Sequence, residues 1–246
     1  MDNNTIARTL SYARHLGREL ALLSLSALGQ PGVDLDTVEM TDILQRAVRV
    51  LTEEAEEYLS TGGKTLENVF AELESIDLDT LADEPNARNV SQIRKKLAKQ
   101  IQDARNHILE EVDKIAQAVN LVGEALHIPL MRNLADSHDV RSFTLTLLEC
   151  YRKNHDEIDR VINEVSADWS VDRMNSLDRD TIRIGTLEML FDPASQDHRV
   201  DSTPIPVIIN EAVELAKKYG TDESFRFVNG VLRNVMPHAQ ERRRRV

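Results

Sequence analysis

Residues 206–235 read PVIINEAVELAKKYGTDESFRFVNGVLRNV, and this stretch decides the fold. From Val207 to Tyr219 the apolar positions recur at helical spacing, which puts Ile209, Ala212, Val213 and Ala216 inside, on one face. Asn210, Glu214, Lys217 and Lys218 fall wholly or partly outside it. Pro206 suits a first helical turn, where its missing N–H is not needed. Gly220 is a natural C-terminal cap, and Thr221 or Asp222 can cap a second helix from Glu223 to Met236. Pro237 is expected to stop that helix, which leaves residues 239–246 as a basic, disordered tail containing Arg242 to Arg245.

Working outward, the same periodicity continues. Phe143, Leu147, Tyr151, Ile158, Ile162 and Val165 mark a helix running toward Trp169. Asp172 to Phe191 carries Leu177, Ile184, Leu187 and Phe191, and a polar loop, residues 192–204, follows. At the other end, Thr5 to Leu28 is helical, with Ile6, Leu10, Ala13, Gly17, Leu20, Ala21 and Leu28 on one side. Arg8, Arg14, His15 and Arg18 gather on the opposite side, so this helix is expected to show solvent a basic face. Gln30, Pro31 and Gly32 end it.

Residues 33–128 look like an insertion. Met40 to Leu59 and Thr65 to Ile76 form two amphipathic patterns split by Gly62 and Gly63, and an acidic linker follows at residues 77–88. Ile93, Leu97, Ile101, Ala104, Ile108, Val112, Ile115, Val119, Val122 and Leu126 then recur by threes and fours, which predicts a helix of over thirty residues with one apolar stripe. Such a stripe needs a partner, either Val48, Leu51, Ala55, Tyr58 and Leu59 of this chain or another chain. Pro129 marks the exit. Nothing reads as strand, so the fold class is all-α. The division is 1–32 plus 129–238 as one helical domain, 33–128 as an acidic helical insertion and 239–246 as the tail.

Composition narrows the function. Of the 246 residues 41% are hydrophobic and only 4% aromatic, with 9 glycines and 7 prolines. That balance suits helices. The single cysteine, Cys150, excludes an internal disulfide and fits a reducing cytoplasm. No apolar run reaches the roughly 18 residues of a membrane span, and arginines interrupt any signal-type core. The net charge is −12, and about ten of those charges lie between Asp34 and Glu124, so a local basic face elsewhere can still meet RNA. Seven histidines lack metal-ligand spacing, and no phosphate loop or nucleophile elbow appears, so neither a metal nor a cofactor is expected. Glu53, Glu54, Glu56 and Glu57 read as a solvated helix face. A non-enzymatic binding protein is the expectation.

The segments INEAVELAKKYG and FVNGVL at 209–220 and 227–232, with LDRDTIRIGTLEML before them, resemble the NusB family of transcription antitermination proteins. The likeness covers about Ile6 to Leu28 and Val140 to Met236, and the middle resembles the enlarged cyanobacterial and plastid form. The resemblance implies an all-helical bundle that binds a boxA-like single-stranded RNA together with a small-subunit ribosomal protein. These modify RNA polymerase so that it reads through terminators in ribosomal RNA operons. Carried over by position, it implies RNA contacts by Arg14, His15 and Arg18 on the first helix and by Glu223 and Arg226 at the last turn. It places Asp178 and Arg183 where the ribosomal protein meets the chain. Ser26 stands where relatives often carry tyrosine, Glu223 replaces an aspartate, and His15, Leu16 and Gly17 interrupt a usually denser arginine run.

The residues themselves leave alternatives open. Arginines on a polar helix face are commonly just solvated. Phe225 and Phe227 sit at helical spacing with Val228, Val231 and Leu232 and read as core before they read as base platforms. Asn210 and Asn229 read as structural groups bonding to neighbouring helix ends. If Arg14 and Arg18 do meet phosphates, removing either should lower the log–log salt slope by about 0.7. The rival function is a helical protein–protein module that oligomerises through the long stripe without specific RNA binding.

Overall fold

The computed structural model describes residues 3–29, 34–74, 87–128, 138–166, 169–196, 202–221 and 223–245. Among them are seven α-helices and no strand: α1 (Asn3–Leu28), α2 (Met40–Glu74), α3 (Ala87–His127), α4 (His138–Val165), α5 (Ser176–Phe191), α6 (Ile205–Tyr219) and α7 (Ser224–Arg245). The fold class is all-α, as the periodicity requires. The expected stops at residues 30–32 and Pro129, the Asp222 cap and residues 77–86 of the linker fall outside the described residues, while Ala87 and Arg88, expected in the linker, begin α3.

The chain divides into two compact units, residues 1–52 with 123–246, and residues 53–122. In the first unit α1 packs on α4 and α5, while α5, α6 and α7 pack on one another. From Leu16 to Leu25 every residue of α1 is buried, so this helix is a central post. Gly17 explains how close its neighbour comes: a Cβ there would lie 2.9 Å from the Phe143 ring of α4. Thr144 of α4 also donates to the Gly17 carbonyl.

The α6–α7 corner keeps the expected caps of 206–235, but Ile208, Leu215 and Tyr219 join Ala212 and Ala216 in the core, while Ile209 and Val213, expected inside, line a groove. Pro206 sits in the first turn of α6, and Gly220 closes it by donating its N–H to the Ala216 carbonyl. Its φ of −93° is an ordinary one. The glycine is needed for space, because a Cβ would stand 2.3 Å from the Ser224 Cβ.

The helix continues past Pro237 to Arg245, so residues 239–245 are not a loose tail. Proline removes one backbone hydrogen bond from the helix, but side-chain anchors hold the last turns. Arg243 donates to the carbonyls of Met189, Glu188 and Thr203. Arg242 pairs with Glu157 and stacks 4.2 Å from the centre of the Phe191 ring. Arg243 thereby adds charged donors to carbonyls at the C-terminal end of α5, where that of Glu188 also accepts from the Asp192 N–H.

In the second unit the C-terminal part of α2 lies against α3. Here Gly62 and Gly63 do not split the helix. Each costs about 1 kcal/mol of helix propensity, but Gly62 lets α3 approach, with a virtual Cβ only 3.3 Å from Glu111 and 3.5 Å from Ile115. The α3 stripe is only partly covered. Of its residues only Ala104 is buried, whereas Ile101, Val112, Val119, Val122 and Leu126 stay exposed, and the buried positions Ala118, Leu121 and Ala125 lie off the stripe. Leu59, offered as their cover, is itself exposed, and Glu54 is buried although it was expected in a solvated face.

Candidate nucleic-acid interface

The expected basic face of α1 is largely dismantled by packing. Arg18 is only 4% exposed. Its guanidinium makes a forked pair with Glu188 of α5, at 2.7 and 2.8 Å, and Glu211 of α6 lies 3.7 Å away. Burial works against the charge. The field and hydrogen bond of Glu188, with the field of Glu211, outweigh it, so the guanidinium holds its proton more tightly than usual. A wheel places Arg18 opposite the apolar stripe, but α1 is enclosed on all sides there, and its polar residues are buried as pairs instead.

Arg14 is half-buried. It reaches Thr203 and the Ala194 carbonyl at 3.4 Å each and lies 5.6 Å from the Phe143 ring centre. His15 is half-buried too, and its Nδ1 is 2.8 Å from Glu211. The hydrogen bond to Glu211 raises the imidazole's pKa, against the opposing effect of burial. The side chain of Arg8 is outside the described set. One residue further along than Arg18, Glu19 is buried and accepts from Tyr219 and Lys218 at the end of α6.

A different group converges at the opposite end of α5. Asn175 caps this helix by accepting from the Leu177 N–H. That fixes Asp178 in the first turn, where a carboxylate is favoured by the helix dipole. α7 begins beside it. Ser224 Oγ accepts from the Thr221 N–H and donates to Asp178 Oδ2, both at 2.9 Å. The two helix starts are thus stitched together, and a cleft of about 300 Å³ opens between them. Trp169 and Phe227 form its apolar walls, with Asp178 and Glu223 as its acidic groups. Trp169 is 47% exposed, its indole N–H held by the Arg173 carbonyl and Arg173 lying 5.0 Å from its ring centre. Burial pushes the Asp178 carboxyl up, with the Ser224 hydrogen bond opposing.

Asp178 and Glu223, expected to serve different partners, therefore share one cleft. Arg226 stands exposed at its rim, paired with Glu223. Arg183 is not available in the same way. It forks onto Asp159 at 2.8 and 2.6 Å and reaches Asp180 at 3.0 Å. Burial opposes its charge, but the Asp159 hydrogen bond and its neighbours hold the proton firmly. Ser26 is exposed on α1. Ten residues of α5, about 15 Å of helix rise, separate Asp178 from Glu188, so the cleft and the Arg18 pair are distinct places. Trp169 was passed over as the end of a helix. Its signal was that the chain's single tryptophan stands at a break, beside polar residues, where core packing does not call for it.

Phe225 and Phe227 are half-buried and face separate recesses, which corrects their assignment to the core. Asn210 and Asn229 make no hydrogen bond to a helix end among the described residues and line a groove instead. Among the described residues no three metal-ligating side chains come together, and no helix is long and apolar enough to cross a membrane.

Two helix starts, an aromatic pair, a part-buried carboxylate and an exposed one surround this open cleft. The NusB family model matches residues 92–237. Proteins named transcription antitermination protein NusB align along nearly the whole chain. The one from Gloeobacter violaceus is 32% identical over 93% of this chain and 96% of its own length. That from Gloeothece citriformis is 32% identical over 94% and 97%, and that from a Picosynechococcus species 35% identical over 90% and 92%. The chain belongs to the NusB family, in the long form of these cyanobacterial relatives.

Proposed function

We propose that this chain acts in transcription antitermination by binding rather than catalysis, gripping a boxA-like single-stranded RNA beside a small-subunit ribosomal protein in a complex with RNA polymerase. The observation that carries this is the cleft between the starts of α5 and α7. Single-stranded RNA is recognised by stacking unpaired bases on aromatic rings and bonding their edges. Trp169 and Phe227 supply the rings. Asp178 and Glu223 supply acceptors, which suit amino groups on a base and repel phosphate. Arg226 at the rim and Arg173 beside Trp169 supply charge for the backbone. Arg14 and His15 extend the contact along α1, and Arg18 supports them from within the core. The ribosomal protein takes the surface around Ser26 and the Asp159–Arg183 pair. The helical domain of residues 1–32 plus 129–238 carries these contacts, and residues 33–128 are an insertion in it.

The single tryptophan provides the test. Titration with boxA-like RNA should quench Trp169 fluorescence, and polarisation should show tighter binding than to a scrambled strand, more so with the ribosomal protein present. Equal binding of both strands in both conditions, with no quenching, refutes the proposal. The exposed Ile101, Leu109, Val112 and Val119 row on α3 favours a second function, self-association. A mass by light scattering that stays monomeric at every concentration removes it.

A further inference from the structure

Phe225 and Phe227 are two residues apart on α7, so they point about 200° apart around the helix. Phe227 enters the cleft described above. Phe225 enters another recess, a groove of about 590 Å³ between α6 and α7, within the range of small-ligand sites. Ile209 and Val213 form its floor with Phe225. Asn210 and Asn229 offer their amides along it, and Lys217 and Arg233 stand at its edge. None of its lining side chains is acidic, although the chain carries a net charge of −12.

The polar groups there are unspent. Neither asparagine amide has a hydrogen bond among the described residues, and Arg233 has no ion pair among them. Lys217 lies 5.9 Å and Arg226 5.3 Å from the centre of the Phe225 ring. Their pairs with Glu214 and Glu223 are surface contacts, easily exchanged for phosphate. An apolar helix lying in this groove would bury both amides without partners. A nucleotide base would satisfy them, because its face can stack on Phe225 while its edge meets amide donors and acceptors.

We propose that the α6–α7 groove is a second subsite for the same RNA strand. A base stacks on Phe225, Asn210 and Asn229 bond its edge, and Lys217 and Arg233 hold the flanking phosphates. The strand reaches it by crossing the turn at Glu223–Arg226 from the Trp169–Phe227 cleft. This rests on the RNA-binding role proposed above and extends its footprint from one base pocket to two.

The experiment compares a short labelled single-stranded RNA of about four nucleotides with a long one of about twelve, within the footprints of known single-strand binders. It uses the full chain with Arg233→Ala and the pair Asn210→Ala/Asn229→Ala, each confirmed folded by its urea midpoint. For the long RNA, Arg233→Ala should lower the log–log salt slope by about 0.7. The asparagine pair should weaken it by about fivefold, as for lost hydrogen bonds. The short RNA should bind all three proteins alike, with Trp169 quenched in each. Long-RNA affinity and slope unchanged in the variants, with Trp169 still quenched, overturn the second subsite and leave the first standing. The same result with loss of a protein partner assigns the groove to that protein and also overturns the proposal. Absence of RNA binding by the parent chain removes the first site and this one with it.

Discussion

Replacing Arg18 by methionine separates a buried structural role from an RNA contact. The guanidinium is almost fully enclosed and forks onto Glu188, which is itself 1% exposed. Methionine fills much of the volume but leaves Glu188 as an uncompensated buried carboxylate. Breaking a buried pair from one side costs about 3–5 kcal/mol, against a total stability of roughly 5–15 kcal/mol for a domain. With a urea dependence of about 2 kcal/mol per molar, the midpoint should fall by about 2 M. Adding Glu188→Leu should recover most of this, since an apolar pair can replace a buried ionic one. RNA affinity of the folded variant should keep the parent's salt slope. A parental urea midpoint together with a slope reduced by about 0.7 would show Arg18 facing phosphate, and the buried-pair account would fall.

Two further predictions concern the end of α7 and the α1–α6 seam. Arg243→Ala removes the charged donor to three carbonyls and should cost about 2 kcal/mol in urea unfolding, whereas Arg244→Ala, on the exposed side, should stay within about 0.5 kcal/mol; equal effects would mean that the last turns do not anchor α5. The His15–Glu211 pair should stabilise the fold in a bounded pH window. His15's pKa is raised above its ordinary 6.5, so its contribution is complete below that value and is lost as pH rises through the folded pKa. Glu211's is lowered from 4.5, so its share is present above 4.5 and is lost as pH falls through the folded pKa. The stability gap between the parent and His15→Gln should therefore be widest between about pH 4.5 and 6.5 and shrink on the alkaline side; a gap that widens toward pH 8 contradicts the pairing.

Local chemistry carried well from the sequence. Proline in the first turn of α6 and the glycine closing it act within a few residues, and both appear in the structure as read; the three-and-four spacing of α3 gave the helix but not its buried face. What failed to carry was set by distance along the chain. Whether Arg18 faces water depends on Glu188, 170 residues away. Whether Asp178 and Glu223 work together depends on two helix starts meeting through Ser224. Pro237 signals a stop locally, but Arg242 and Arg243 hold on to α4 and α5 and override it. Helical spacing also cannot distinguish a residue inside the core from one at the mouth of a cleft, so Phe225 and Phe227 read as interior when they line recesses.

The Glu19 carboxylate has a consequence for how a guest is received. Tyr219 and Lys218 are both tied to it, in the last turn of α6 immediately ahead of Gly220, so the corner leading into Glu223 and Ser224 is moored to the middle of the central post. The wall is set before anything arrives. Ordering costs in complex formation then fall on the incoming polymer and little on the host. Affinity should accordingly respond more to stiffening the guest than to any further bracing of the corner.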